Sequence, residues 1–326
     1  MYPELFEIPF IHLTVKSYGL MMVIGFLLAV SLIRRISRNI TPDPQLITNA
    51  ALYSLIGGVV GARLFYVIHH FDQFQQDPVS VFAIWLGGLE LLGGVILAVA
   101  IILFYLLYNK LPIRRYLDIL AIGLMLALVF GRIGCFLNGC CYGKPTELPW
   151  GVRFPYYSFA YLSQINADLE RNRPQPHLKL PDEFFGYTDK DGASYSGLKP
   201  REYLTEKQKI EITEGKYRCL SIHPTQLYSS AIAALTCLIL FLFWRRAQKA
   251  ERLKSSKKLF TKPGCTFSLM FILYGISRFF MEFLRDDNPF EFDGLTISQN
   301  IGLAMVALGV ILMAIFQKIK PDSPKS

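Results

Sequence analysis

The sequence contains none of the short motifs that identify nucleotide-binding or metalloprotease domains. No P-loop, no G-x-G-x-x-G turn and no H-E-x-x-H occurs in its 326 residues. The C-x4-C-C series of Cys135, Cys140 and Cys141 fits no standard zinc-finger spacing. Internal repeats and low-complexity tracts are also missing. We therefore expect a non-repetitive protein without a resident metal or other cofactor.

The sequence also has no basic patch interleaved with aromatic residues, which RNA- and DNA-binding surfaces usually carry. Its formal net charge is nevertheless +9. The lysines and arginines are grouped behind apolar runs, at 34–38, 110–115, 245–262 and 318–325. Because Lys and Arg in short loops set the orientation of membrane helices, this charge indicates membrane topology and not a nucleic-acid partner.

Long apolar runs are abundant, and hydrophobic residues make up 52% of the chain. A helix needs about 20 mostly apolar residues to cross a bilayer. Seven stretches reach this length, at roughly 17–36, 48–69, 80–107, 115–137, 224–244, 263–285 and 296–316. The sequence therefore predicts an all-α polytopic membrane protein with about seven transmembrane helices.

The distribution of charge between the runs predicts the orientation. The loops HFDQFQQDP and RDDNPFEFDG are acidic or nearly free of Lys and Arg, so every odd-numbered span is expected to end in the cytoplasm. The N-terminus is then outside and the C-terminus inside. MYPELFEIPF lacks a basic n-region and a cleavage site, so the first span is expected to be retained.

The long segment between spans four and five is mixed and unperiodic, and it predicts a small extracytoplasmic α+β head. The chain is thus expected to consist of three parts. Residues 1–137 form the first four spans, residues 138–222 form the head, and residues 223–326 form the last three spans.

Several charged side chains lie within or at the ends of the apolar runs: Arg63, Glu90, Asp118, Arg132, Arg278, Glu282 and Arg285. A charge at the centre of a membrane helix costs about 2.5–3.5 kcal/mol, so each needs a partner, a cavity or a function. Tyr274 and the last three of these follow at i, i+4, i+8 and i+11, which predicts one helix face.

Two interpretations of these charges are open. Arg278 and Glu282 suit a structural ion pair one helical turn apart. Alternatively, Arg63, Arg132 and Arg278 on separate spans suit an anionic ligand, because guanidinium groups bind phosphate in a bidentate fork. The outer ends of spans four and six are where a phospholipid head group would lie.

Paired glycines mark two further segments. WLGGLELLGG at 85–94 predicts a broken or re-entrant helix that lines a cavity, since glycine surrounds a glutamate there. Gly57 and Gly58 are more typical of close helix packing.

A series of short motifs in a fixed order carries a resemblance to a known family. They are YGLMMVIGF at 18–26, GARLFYV at 61–67, GGLELLGG at 87–94, GRIGCFLNG at 131–139, WG at 150–151, HPTQLY at 223–228 and YGISRFFMEFLR at 274–285. Asp118 stands fourteen residues before Arg132. With these motifs the chain resembles the prolipoprotein diacylglyceryl transferases, as a cysteine-rich, divergent member, over most of its length except about 157–220.

The resemblance implies an enzyme of the bacterial cytoplasmic (inner) membrane, with no cofactor. It would move the diacylglyceryl group of phosphatidylglycerol to the lipobox cysteine of a preprolipoprotein, forming a thioether and releasing glycerol 1-phosphate. Its partners would be phosphatidylglycerol and preprolipoprotein signal peptides.

The resemblance also implies the site residues. By position, Tyr18, Arg132, Gly143, Tyr274 and Arg278 match residues used for activity or lipid binding, with Arg132 and Arg278 on the head group. His223, Gln226, Asn138, Arg63, Glu282 and Arg285 lie in matched motifs and are candidate substrate-binding residues.

The chain departs from the family pattern at three positions. Cys135 stands where Asn is usual, Cys140 where an acidic residue is frequent, and Leu92 where His is usual. A thiol with pKa about 8.5 is already partly ionised at neutral pH, so the reaction tolerates loss of that histidine. Glu90 is the candidate that takes the proton, and pairing with an arginine is its structural alternative.

Other possibilities follow from the same features. A family paralogue that binds phospholipid but has a changed acceptor or no transferase activity is one alternative function, and a membrane transporter is another. The cysteines could join Cys219 and His223 around zinc, or Cys140 or Cys141 could form a disulfide with Cys219. Cys237 and Cys265 are typical of small apolar membrane residues.

Overall fold

Seven helices among the described residues are long and apolar enough to cross a membrane. The computed structural model describes residues 4–8, 13–40, 43–75, 78–83, 87–189, 192–253, 260–292 and 294–319. The helices are α1 Ser17–Ser37, α2 Gln45–His69, α4 Leu91–Tyr108, α5 Ile113–Asn138, α8 Thr225–Arg252, α9 Cys265–Met281 and α10 Ile297–Lys318. The prediction of an all-α polytopic membrane protein is confirmed.

Short elements connect these helices. The short helices are α3 Phe71–Phe74, α6 Phe159–Ile165 and α7 Glu206–Thr213. In the described part of the chain, three antiparallel hairpins pair β1 Glu4–Ile8 with β2 Leu13–Lys16, β3 Phe185–Thr188 with β4 Ser194–Leu198, and β5 Phe290–Phe292 with β6 Leu295–Thr296. In the second hairpin Phe185 is opposite Leu198 and Tyr187 is opposite Tyr195.

The chain divides into two compact units. The first comprises Met1–Phe26, Met125–Ile239 and Leu269–Ile311, and the second comprises Leu27–Leu124, Leu240–Ser268 and Leu312–Ser326. The three-part division at 137 and 222 follows the expected membrane crossings and stays a prediction.

The first unit contains the head segment, residues 138–222, which has a hydrophobic core of its own. Tyr161, Phe184 and Ile222 are almost fully buried there. The helix α7 begins with a capping box, in which Thr205 and Gln208 exchange side-chain and backbone hydrogen bonds. The segment combines α6, α7 and the β3–β4 hairpin, as expected for an α+β head.

In the second unit, α2 and α4 pack closely because glycines face each other. A Cβ atom on Gly61 would lie 2.5 Å from the carbonyl oxygen of Gly93, and a Cβ on Gly93 would lie 2.5 Å from that of Gly61. Gly57 leaves room for the side chain of Ile101. The packing role expected of Gly57 is therefore confirmed.

The third apolar run differs from the prediction at its start. Helix α4 begins at Leu91 and not near residue 80, and Pro78–Phe82 forms a short 3-10 helix. Gly87 and Gly88 have φ of +93° and +72°, conformations that interrupt a helix. The predicted break thus falls before Leu91. Ile84, Trp85 and Leu86 of the same motif lie outside the described residues.

Asp118 has a structural partner in the second unit. Its carboxylate accepts hydrogen bonds from the backbone amides of Gly264 and Phe267, both at 2.8 Å. These amides belong to the start of α9, where N–H groups have no partner within the helix. A buried carboxylate here therefore fixes and stabilises the beginning of α9.

Candidate active site

Arg132, Tyr274 and Arg278 line one cavity in the first unit. The cavity is narrow, with a volume of about 20 Å³, and lies between α5, α8 and α9. Helix α8 contributes Ser229 and Thr236 to its wall. The structure thus brings together three residues that the sequence predicted for the site.

Arg278 is held in place by protein partners. Its guanidinium lies 3.4 Å from the carboxylate of Glu282, one turn further along the chain, and donates to the hydroxyl of Ser298. Asn288 donates to both Glu282 and the Ser298 hydroxyl. The structural ion pair considered for Arg278 and Glu282 is present, and it fixes a cation in the cavity wall.

Arg132 has a different environment. Within the described part of the chain its side chain makes no hydrogen bond or ion pair, although it interacts electrostatically with Tyr274. The charged side chains that line the cavity are Arg132 and Arg278, and the charge of Arg278 is paired with that of Glu282. One positive charge is left, which suits a singly charged anion such as a phosphodiester.

Arg285 does not lie on the predicted helix face. Helix α9 ends at Met281, and Glu282–Leu284 form a tighter 3-10 turn after which Arg285 is extended. Its guanidinium instead binds Asp287 through two hydrogen bonds of 2.7 and 2.5 Å. Burial lowers the pKa of Arg285, but the hydrogen bonds and charge of Asp287 raise it by more, so its pKa is above the ordinary value.

The loop after α5 is fixed by the HPTQLY motif. Gln226 donates to the carbonyl of Cys140 at 2.7 Å, and Thr225 donates to that of Cys141 at 2.8 Å. Gly143 passes so close to His223 that a Cβ atom would lie 2.5 Å from the carbonyl oxygen of His223. These candidate substrate-binding residues therefore position the loop.

Other predicted residues have local partners. The ring of Tyr18 packs against Gly134 of α5, where an added Cβ would lie 3.1 Å from it. Asn138, the last residue of α5, interacts with Cys140. His223 lies 3.5 Å from the hydroxyl of Tyr228, through its Nδ1. Their assignment to substrate binding or catalysis stays a prediction.

Glu90 stands in the second unit, directly before α4 and not within a span. Its amide donates to the carbonyl of Ala62, and its carboxylate lies 2.7 Å from Nδ1 of His69 at the end of α2. The imidazole is half exposed, with 57% of its side-chain surface accessible. Glu90 therefore pairs with a histidine and not with an arginine. Leu92, at the usual histidine position, is exposed.

Arg63, also in the second unit, is a buried structural arginine. Its guanidinium donates to four backbone carbonyls, those of Ser80, Val81, Gly87 and Gly88. These bonds hold the connection between α2 and α4. The substrate-binding role expected of Arg63 stays a prediction.

Three partners in these arrangements, His69, Ser298 and Asn288, could not be recognised from the sequence. His69 ends an apolar run without a recognisable motif. Asn288 is an ordinary polar residue of a short loop, and Ser298 is an ordinary polar residue at the start of α10. The acidic pair Asp286–Asp287, directly after Arg285, could have indicated from the sequence that this arginine has a local ion-pair partner. Asp286 accepts a hydrogen bond from Arg173 of the head segment at 2.7 Å, and Asp287 holds Arg285.

The six cysteines are free thiols in the structure. Cys219 is buried and donates to Gln164 at 3.5 Å, and burial raises its pKa to about 11. The disulfide considered between Cys219 and Cys140 or Cys141 is not formed. The pKa of Cys141 is lowered by hydrogen bonds with the thiols of Cys135 and Cys140 and by the charges of Arg285 and Arg132, although burial opposes this.

The fold and the cavity define a multi-pass membrane protein with an arginine site suited to an anionic ligand. The sequence profile of the prolipoprotein diacylglyceryl transferases matches residues 3–315. The chain belongs to this family, and it is a membrane-embedded transferase.

Relatives of similar length support the assignment. Each is named phosphatidylglycerol–prolipoprotein diacylglyceryl transferase. The protein of Clostridium tetani is 30% identical over 315 residues, which cover 97% of this chain and 98% of the relative. That of Synechococcus elongatus is 26% identical over 99% of this chain and 90% of its own. That of Roseobacter denitrificans is 27% identical over 96% of this chain and 95% of its own length.

Proposed function

We propose that this chain transfers the diacylglyceryl group of phosphatidylglycerol to the lipobox cysteine thiol of preprolipoproteins. The observation that carries the proposal is the guanidinium of Arg132, which has no protein partner among the described residues and lines one cavity with the fixed Arg278. We place the enzyme in the bacterial cytoplasmic membrane, with the N-terminus outside and the C-terminus inside. The family assignment favours transfer over the transporter alternative.

The proposed reaction is a displacement at the C3 carbon of the diacylglyceryl group. The acceptor sulfur forms a bond to this carbon while the bond from carbon to the phosphate oxygen breaks. The electron pair leaves with glycerol 1-phosphate, and the sulfur gives up its proton. Negative charge grows on the leaving phosphate, so Arg132 and Arg278 stabilise the transition state where that charge develops.

We further propose that the acceptor proton is taken up by the pair formed by His69 and Glu90. An imidazole that is oriented by a carboxylate is a frequent general base, and the lipobox thiol must ionise before it attacks. His69 would accept the proton, and Glu90 would stabilise the imidazolium at 2.7 Å. This assigns to the pair the role for which the sequence suggested Glu90 alone.

The test is transfer by the purified full-length chain in phosphatidylglycerol-containing bilayers, with a lipobox peptide as acceptor. We expect a thioether-linked diacylglyceryl peptide and one glycerol 1-phosphate per product. Arg132→Gln should reduce product formation by about 100-fold or more, and Arg201→Gln, at an exposed arginine of the head segment, should not. Full activity of the Arg132→Gln enzyme would contradict the proposal. No product with retained phosphatidylglycerol binding would favour the paralogue alternative.

A further inference from the structure

The sulfur atoms of Cys135, Cys140 and Cys141 form a cluster in the first unit. All three lie within 4.8 Å of one another. Thiolate ligands bind first-row metals at about 2.3 Å, which places three sulfurs around one ion about 4 Å apart. The cluster therefore has the dimensions of a three-sulfur metal site with little rearrangement.

The backbone presents these sulfurs in a fixed way. Cys135 lies in the last turn of α5, and Cys141 has a left-handed conformation with φ of +58°. Adjacent cysteines point their side chains apart in an extended chain, and this conformation turns the chain between them. Thr225 and Gln226, both 1% exposed, hold the carbonyls of Cys141 and Cys140. The CC pair is thus held in place by two buried side chains.

The electrostatic surroundings favour a negatively charged complex. Arg132 and Arg285 both interact with Cys141. Three thiolates around a monovalent ion carry a net charge of minus two, and the unpaired charge of Arg132 would offset part of it. Cys140 and Cys141 also line an open cleft of about 430 Å³ together with Ser163 and Arg173 of the head segment. An ion could enter through this cleft.

The number of ligands indicates the class of metal. Cys219 is hydrogen-bonded to Gln164, and His223 lies against Tyr228. Neither residue therefore joins the cluster, although a zinc site would require a fourth ligand of this kind. Zinc prefers four ligands, whereas soft thiolate sites select Cu(I). We propose that Cys135, Cys140 and Cys141 form a three-thiolate site for a soft, thiophilic metal ion, Cu(I) in the first instance. Binding replaces three S–H protons, which are released to solvent.

This proposal is independent of the transferase reaction, and it departs from the expectation that C-x4-C-C spacing holds no metal. The test uses the full-length protein, reduced and oxygen-free, titrated with Cu(I) against bicinchoninate. We expect one Cu(I) per chain that the competitor does not remove. Cys135→Ser, Cys140→Ser and Cys141→Ser should each lose it, whereas Cys237→Ser and Cys265→Ser, matched controls in α8 and α9, should keep it.

A second measurement avoids any folding defect of the variants. Copper-loaded wild-type protein is alkylated and mapped by mass spectrometry, and we expect Cys135, Cys140 and Cys141 to be protected. If bicinchoninate removes all of the copper, the bound metal is an adventitious ion only and the proposal is wrong. Unchanged copper binding in the three cluster variants would also overturn the proposal. So would a disulfide between two cluster cysteines in protein purified without reductant, with four of the six thiols titratable after denaturation.

Discussion

Arg278 lies 3.4 Å from the carboxylate of Glu282, while Arg132, in the wall of the same cavity, has no ion-pair partner among the described residues. The two arginines therefore make different contributions to the binding of an anionic ligand. Arg278 is oriented before binding, which reduces the conformational entropy lost when a phosphate arrives. Arg132 supplies the unmatched positive charge. This difference separates the expected effects of mutation on activity from those on stability.

Arg132→Gln should reduce transfer by about 100-fold or more, as loss of a charge-stabilising donor does in other active sites. Its melting temperature should stay close to wild type, because the side chain makes no hydrogen bond to the described protein. Arg132→Lys should recover part of the activity, since it keeps the charge but not the bidentate fork. A large loss of thermal stability in Arg132→Gln would show that the arginine is structural.

Arg285→Gln should mainly lower stability, by about 3 kcal/mol, because it leaves the mostly buried carboxylate of Asp287 without its partner. The measurement is thermal or denaturant unfolding in detergent. Asp287→Asn in the same chain should restore part of the loss, since it removes one unpaired charge. Equal losses in Arg285→Gln and the double variant would show that an unpaired carboxylate at Asp287 is not the cause of the loss.

The seven spans, the head and the grouping of Arg132 with Tyr274 and Arg278 could be predicted from sequence. Apolar run length and motif order carry that information locally. The position of Arg285 could not be predicted from sequence, because the 3-10 turn at 282–284 and the pairing with Asp287 depend on tertiary contacts. The pair of Glu90 with His69 was missed for a similar reason, since the partners are 21 residues apart and no periodicity joins them.

Asp118→Ala should destabilise the protein by about 1–3 kcal/mol, because the amides of Gly264 and Phe267 lose a buried acceptor. Asp118→Asn keeps one acceptor oxygen and should cost less. Unfolding curves of the three proteins test this order. If the alanine variant matches wild type, the carboxylate does not stabilise the start of α9.

Gly143→Ala should impair folding or transfer severely, because its Cβ would lie 2.5 Å from the backbone oxygen of His223. Backbone cannot move aside as a flexible side chain can, so the loop that carries Cys140 and Cys141 would shift. Gly197→Ala is the matched control in the head segment, since a Cβ there has open space. Yield, melting temperature and transfer are compared. Normal behaviour of Gly143→Ala would mean that the loop tolerates displacement.

Glu90→Gln and His69→Gln should each slow transfer at pH 7, and the double variant should be no slower than the worse single one, because the two groups act as a unit. A thiol with pKa about 8.5 costs about 2 kcal/mol to ionise at pH 7, so the deficit should not exceed about 30-fold. It should shrink towards pH 9, where the acceptor ionises without a base. The deficit of Arg132→Gln should not shrink in this way, because phosphate stabilisation is needed at every pH. A pH-independent loss in His69→Gln would instead indicate that the pair only holds the start of α4 against the end of α2.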